Sequence, residues 1–504
     1  MKKSVAWLLS FALLLAIPTV LVPTVLMGRQ AKETPLLVAI GGEPVSLDPF
    51  NVVDHLSPVI QQNIFEGLLA LGDRNRLQPQ LAREYSISPD GRAITFLLRE
   101  GVTFHDGSNF DAAAVKVNFD FLRDPQNEMA RRDLFDFVTD IVINSRYSIT
   151  FKVDRPHYAL AYFFAHPQAS LKSARELEKR LQDRTYNLTH TAVGTGPFKL
   201  RQWYGGRRLE LVANEDYWNK EAMPRVTGIT FLFVREAAER LAMLRKGEVE
   251  VVYHLTDHER EELQDDQGHQ LLAVPRQGLY YIGLDVKLPY FRDVRVRQAM
   301  NYALDKERLL RALAIAGRPA AGPLSPAVFG HYPLAPRDFD LARARELMRE
   351  AGRAGGFAVT LHTRDSYIYR VTALEVARQL AAINIKVEVV THSAGALFTL
   401  LDSESPVDMW VGYSIPHTGE ADAQLRADFA PLRPLLDQAR SMTELSRALD
   451  AYRQVQQAIY NDAPWLFLFY PTIQVAAHNN VRGLRSHPSG VFMVRGAYRE
   501  VDKR

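Results

Sequence analysis

Two histidines four residues apart, His254 and His258, lie in the stretch YHLTDHER. On a helix they would share one face and offer two imidazoles to a zinc or nickel ion. A third histidine, His417, precedes two acids, Glu420 and Asp422, in VDMWVGYSIPHTGEADAQLRADF at 407–429. A carboxylate in a closed, poorly hydrated cleft is a sound anchor for an ammonium group. The same stretch holds Trp410 and Tyr413, whose apolar faces and polar tips suit a cleft that excludes water. Arg364 and Tyr367 follow the strand-like run 359–362, and Arg131 and Arg132 lie earlier. A guanidinium fork matches a carboxylate bidentately. Each residue also has a plain structural use: a solvated loop acid, a surface ion pair, a core tryptophan, a chance histidine spacing.

Catalytic patterns do not accompany these residues. The chain contains no Gly-x-Ser-x-Gly elbow, no phosphate-binding Gly-x-x-x-x-Gly-Lys-Ser/Thr loop and no His-Glu-x-x-His, since His258-Glu259 is followed at 262 by Glu262. It also has no cysteine, which excludes a disulfide framework, thiolate metal sites, a cysteine nucleophile and a cysteine-linked lipid. The expectation is a binding protein without cofactor, not an enzyme, with an exported hydrolase as a remote alternative. The 61 basic and 58 acidic residues leave a net charge of +3, too balanced for a nucleic-acid footprint.

The elements that would position these residues alternate between strand and helix patterns. Strands are expected at 36–40, 93–98, two within 141–153, one after the Gly/Pro turn in 194–202, and at 208–214, 229–234, 249–253, 280–284, 359–362, 386–390 and 465–470. Helices are expected at 58–70, 111–122 with Asp111 as N-cap, 172–182 as an exposed charged helix, 236–245, 293–303, 306–315, 340–351, 371–382 and 442–462. Two strand–helix–strand units, 229–253 and 359–390, imply parallel pairing in two α/β lobes. At 504 residues the chain exceeds what a single core serves.

The N-terminus reads as a targeting segment. Lys2 and Lys3 precede an uncharged apolar run from Val5 to Met27. It fits either a cleaved secretory signal or an uncleaved membrane anchor, and both place the rest of the chain outside the cytoplasm.

One block is recognisable. Residues 81–115, LAREYSISPDGRAITFLLREGVTFHDGSNFDAAAV, resemble the signature of the extracytoplasmic solute-binding proteins of ABC transporters, peptide/nickel class, family 5. Further matching blocks run in the family's order: SLDPF at 46–50, IFEGLL at 64–69, VGTGPFKL at 193–200, NEDYWN at 214–219, DVRVRQAMNYALDKERLL at 293–310 and DAPWLFLFY at 462–470. The resemblance covers roughly residues 36–504.

It implies an α/β, two-lobed periplasmic-binding-protein fold, class II-like, with an extra insert in the first lobe. By resemblance, residues 1–34 are the signal or anchor, and 35–50, 190–270 and 472–504 form lobe I. Residues 51–189 form the insert, and 272–471 form lobe II. It further implies capture of a peptide-like solute between the lobes, delivery to ABC permease subunits, and a monomer. Alternatives are a membrane-anchored sensor and a binder of nickel or a metal chelate. In the family's peptide binders an acid in a lobe II loop pairs with the peptide amine, usually in a Trp, Asp-x-x-Asp-Pro pattern. This chain has Trp410, His417, Glu420 and Asp422 there and no Asp-Pro. Glu420 or Asp422 is the expected anchor. Tyr413, Trp410, Arg364, Tyr367, Arg131 and His417 are the other expected contacts, and His254 and His258 the metal candidates.

Overall fold

The computed structural model describes residues 34–500, apart from 53, 73–75, 131, 404, 417–418 and 488–490. The apolar N-terminal run, His417 and Arg131 therefore lie outside the described residues. Among the described residues no helix is long and apolar enough to cross a membrane.

Two parallel units anchor the architecture. Leu36–Ile40 pairs in parallel with both Gly228–Phe233 and Val251–Leu255, which are joined by the helix Ala237–Arg245. Leu36, Val38, Ala39 and Ile40 are all buried, as expected of a parallel strand covered on both faces. Phe357–Arg364 pairs in parallel with Ile385–His392 across the helix Tyr367–Leu380. One 14-residue strand, Trp465–His478, connects the two units. Its first half pairs with Leu279–Leu284 in the second lobe, and its second half with Val251–Leu255 and His269–Pro275 in the first.

Each lobe has its own core. Leu36, Phe198, Phe231, Tyr253 and Val475 belong to one, and Ile282, Met300, Leu361, Val376 and Leu468 to the other. A third core lies under the antiparallel sheet of Ala82–Ile87, Ala93–Leu98, Ser148–Val153 and Val138–Ser145. It is aromatic, with Phe119 4.8 Å from both Phe135 and Phe151. Such edge-to-face pairs add to simple area burial. A fourth cluster joins this insert to the second lobe, packing Tyr158 and Ala159 with Leu279, Phe467 and Tyr452.

Two expected helices change. The stripe at 58–70 is helical only over Ser57–Gln61. Beyond it the carbonyls of Asn63 and Ile64 accept from Phe198 and Gly196 at 3.0 and 2.8 Å, and Leu69–Leu71 pairs with Leu77–Pro79. Tertiary backbone pairing overrides the local helical period. The helix expected from 172 begins at Ala174, and Lys172 is fully buried, with its ammonium 3.2 Å from Asp48. By contrast, Asp111 caps Ala112–Arg123 as expected, accepting from Ala113 and Ala114 N–H.

Candidate ligand site between the lobes

The recognisable sequence blocks meet one another in space. Glu66 is 2% exposed and accepts hydrogen bonds from Thr195 Oγ1 at 2.9 Å, Tyr217 OH at 2.7 Å and Trp218 Nε1 at 2.8 Å. A buried carboxylate persists only with such donors. His105 Nε2 lies 2.9 Å from the carbonyl of Gly196, and burial pushes its pKa down to about 4. A Cβ at Gly194 would stand 2.1 Å from the Ile64 carbonyl oxygen, and one at Gly196 2.6 Å, so only glycine fits. These blocks are scaffold that locks the insert onto lobe I.

The two acids expected to anchor an ammonium are already engaged. Glu420 caps Ala421–Asp428, accepting from Asp422 N–H at 2.7 Å and Ala423 N–H at 2.9 Å. It also accepts from Tyr158 OH of the insert at 2.5 Å. Burial, then the Asp422 charge, raises its pKa. Asp422 receives both arms of Arg426 at 3.0 Å each, together with Tyr452 OH at 2.9 Å. Both carboxylates are 2% exposed. A ligand ammonium would have to displace these donors, which corrects the expected anchor. His157 joins the two acids in a group whose ligating atoms lie within 4.8 Å of one another. Arg426 and Arg440 already neutralise it, and His157 Nδ1 accepts from Ala159 N–H.

The lobes meet instead around Arg276, which the sequence reading missed. Its N–H donates to Pro471 O at 3.0 Å, and Ser325 Oγ donates to its carbonyl at 2.6 Å. The residue thus sits where both crossing segments run between the lobes. Its charge acts on His55, Tyr253 and His254 of lobe I and on Tyr280 and Tyr413 of lobe II. Arg364 ends its strand nearby, with its guanidinium 5.1 Å from the Tyr369 ring centroid, and its charge also reaches Tyr280. Among the described residues neither guanidinium forms an ion pair with a carboxylate. Tyr280 lies 4.6 Å from Tyr413, 5.9 Å from Tyr369 and 4.7 Å from Phe469, forming an aromatic wall between the two cations. Arg364 and Tyr413 lie at the carboxyl ends of Phe357–Arg364 and Met409–Ser414, which pair in parallel, and open α/β sheets hold ligands at such ends.

The remaining candidates separate. Trp410 and Tyr413 lie three apart on the strand Met409–Ser414, so they face opposite sides of the sheet. Trp410 covers Gly283, where a Cβ would stand 2.2 Å from its ring, in the cluster that joins insert and lobe II. Tyr367 is 56% exposed at the first turn of its helix. Arg132 lies 3.8 Å from Asp136. His254 is in a strand, with a left-handed φ of 71°, and its ring faces His55 at 5.8 Å. His258 is on the following short helix and pairs with Glu262 at 3.3 Å. The two histidines share no helical face, which corrects the expected metal pair.

Residues 76–432 match the family described as bacterial extracellular solute-binding proteins, family 5 Middle. The chain belongs to this family. Glutathione-binding protein GsiB of Salmonella paratyphi A is 30% identical over 482 residues, covering 91% of this chain and 93% of that protein. Its counterpart in Pectobacterium atrosepticum is 31% identical over 483 residues, 90% and 92% of the two chains. Among solved structures, HbpA2 from Haemophilus parasuis superposes with a TM-score of 0.84 at 22% identity, covering 93% of this chain and all of that one. The periplasmic binding protein DppA from Helicobacter pylori, in complex with the peptide STSA, gives 0.73 at 24% identity, covering 93% and 99%. This family 5 protein is therefore an extracellular solute-binding protein with the two-lobed fold. Arg276 carries only one weak local signal, a cation beside the Pro275 that ends a strand, and its meeting with both lobes depends on contacts distant in the chain.

Proposed function

We propose that this protein is the solute-capturing component of an ABC importer and that its ligand is a short, acidic, peptide-like molecule of the glutathione type. The observation that carries the reading is the pair of arginines without carboxylate partners, Arg276 and Arg364, flanking the Tyr280, Tyr369 and Tyr413 wall. A guanidinium in a partly dehydrated cleft is matched by a ligand carboxylate. The tyrosines supply apolar area with hydroxyl tips for a peptide backbone. The 30% identity to glutathione-binding proteins over nine-tenths of the chain supports this class. The occupied state of Glu420 and Asp422 argues for recognition through carboxylates rather than through an amine-to-acid pair.

Binding contacts that span both lobes would favour a closed form, and a permease would read that form. Calorimetric titration with reduced glutathione, oxidised glutathione and dialanine tests the reading. Glutathione should bind, and Arg276→Ala should weaken it about 10- to 100-fold, the loss of one charge-assisted pair. Tighter binding of dialanine, or unaltered glutathione affinity in the variant, would overturn it.

A further inference from the structure

A cavity of about 460 Å³ lies against lobe I, and neither Arg276, Arg364 nor the tyrosine wall lines it. Its walls come from the insert, the 197–225 segment and the C-terminal hairpins, and no lobe II residue lines it. Four arginines surround it: Arg99, Arg225, Arg485 and Arg495. Two have their guanidinium carbons over aromatic rings, Arg99 over Trp218 at 4.8 Å and Arg225 over Tyr498 at 3.3 Å from the ring centroids. Stacking covers the face of a guanidinium and leaves its N–H edge to point at a ligand. Arg99 uses its Nε–H on the Gln80 carbonyl at 2.5 Å, which fixes its fork.

Two acids line the same space. Glu66 already accepts from Thr195, Tyr217 and Trp218, and Glu221 is exposed. None of the four arginines forms an ion pair with a carboxylate among the described residues. Many of this chain's other arginines are paired within a few ångströms, as Arg297 is with Asp462 and Arg499 with Glu250. Four guanidiniums lining one cavity of ligand size, two of them held over aromatic rings, make an anion site.

We infer that this cavity binds a phosphate-bearing anion, separately from the solute in the cleft. A single carboxylate would satisfy one fork. A phosphate group carries up to two charges and three strong acceptor oxygens, so it meets several forks at once. Either a soluble phosphate ester or the headgroup of an anionic phospholipid supplies this chemistry.

The test uses the full chain, with inorganic phosphate in calorimetry and vesicles of phosphatidylglycerol or phosphatidylcholine in co-sedimentation. Phosphate should bind the native protein, or phosphatidylglycerol vesicles should retain it where phosphatidylcholine vesicles do not. The first result assigns a soluble ester and the second a headgroup. The double variant Arg485→Gln/Arg495→Gln should weaken either interaction at least about tenfold. Arg225→Lys, which keeps the charge but loses the stacked fork, should weaken it less. Arg276→Ala should leave it unchanged. No binding of either probe, binding unaltered in the double variant, or citrate binding as tightly as phosphate would overturn the inference.

Discussion

At the scale of single residues, charge counting and hydrogen-bond geometry reach opposite answers for the same acids. Glu420 and Asp422 look like ligand anchors by type and position. In the fold they are a helix cap and the acceptor of a bidentate arginine. Asp422→Ala would leave the buried Tyr452 hydroxyl without its acceptor and take from Arg426 one of its two carboxylates, Asp437 being the other, and should cost about 2 kcal/mol of stability. The same variant should leave solute affinity near native, because the carboxylate is already taken up by Arg426 and Tyr452. Chemical denaturation and calorimetry on one preparation separate these effects; a stable variant that no longer binds would restore the acid to the site. Gly194→Ala should fail to accumulate as folded protein, since the Ile64 carbonyl it would strike is held by the hydrogen bond it accepts from Gly196 N–H. Circular dichroism and yield check this directly.

At the scale of elements, the insert and lobe II are tied by one contact set. Tyr158 donates to Glu420 and lies tilted 4.6 Å from Tyr452, while Tyr162 stacks 3.6 Å from Phe329. Any rotation of lobe II about its crossing strands must carry or break this contact. Tyr158→Phe keeps the ring and removes the donor to a buried acid. The ligand-free variant should therefore show a shifted mean radius of gyration in small-angle scattering, with its melting temperature lowered by a few degrees. A scattering profile superimposable on the native one would show that the hydrogen bond does not bias the lobes.

At the scale of the whole molecule, the long strand Trp465–His478 and the segment through Arg276 connect bodies that otherwise have separate cores. Small-angle scattering should show compaction on adding a solute that binds, because contacts to both lobes select the closed form. Buried rings also set a pH response. Burial pushes His105 and His331 down to about 4 and His487 to about 3, and holds His157 well below its usual value. The unfolded chain protonates these rings near pH 6.5, whereas the native chain resists until about 4. Their contribution to stability is thus full above pH 6.5 and is lost as pH falls through that window. Asp428, raised by burial to about 6, and Glu420, also raised, act in the opposite sense. With these four histidines and the likewise lowered His55, His254, His362 and His478 against two acids, the melting temperature should fall between pH 7 and pH 4.5. A constant or rising value would contradict this account.

Much of the architecture was legible from local patterns. The central strands, most helices, the Asp111 cap and both parallel crossover units follow from hydrophobic period and turn chemistry, which depend on neighbours a few residues away. The ordered blocks from 46 to 470 identified the family, and the zero cysteine count excluded whole classes of chemistry. What only the tertiary structure decided was which charges are used up. Tyr158 reaches Glu420 across 262 residues, and Lys172 finds Asp48 in the core. The crossing segment at Arg276 brings a cation from a strand end to histidines and tyrosines distant in the chain. Whether a charge binds a ligand depends on partners brought close by folding, and residue spacing along the chain carries no record of those distances.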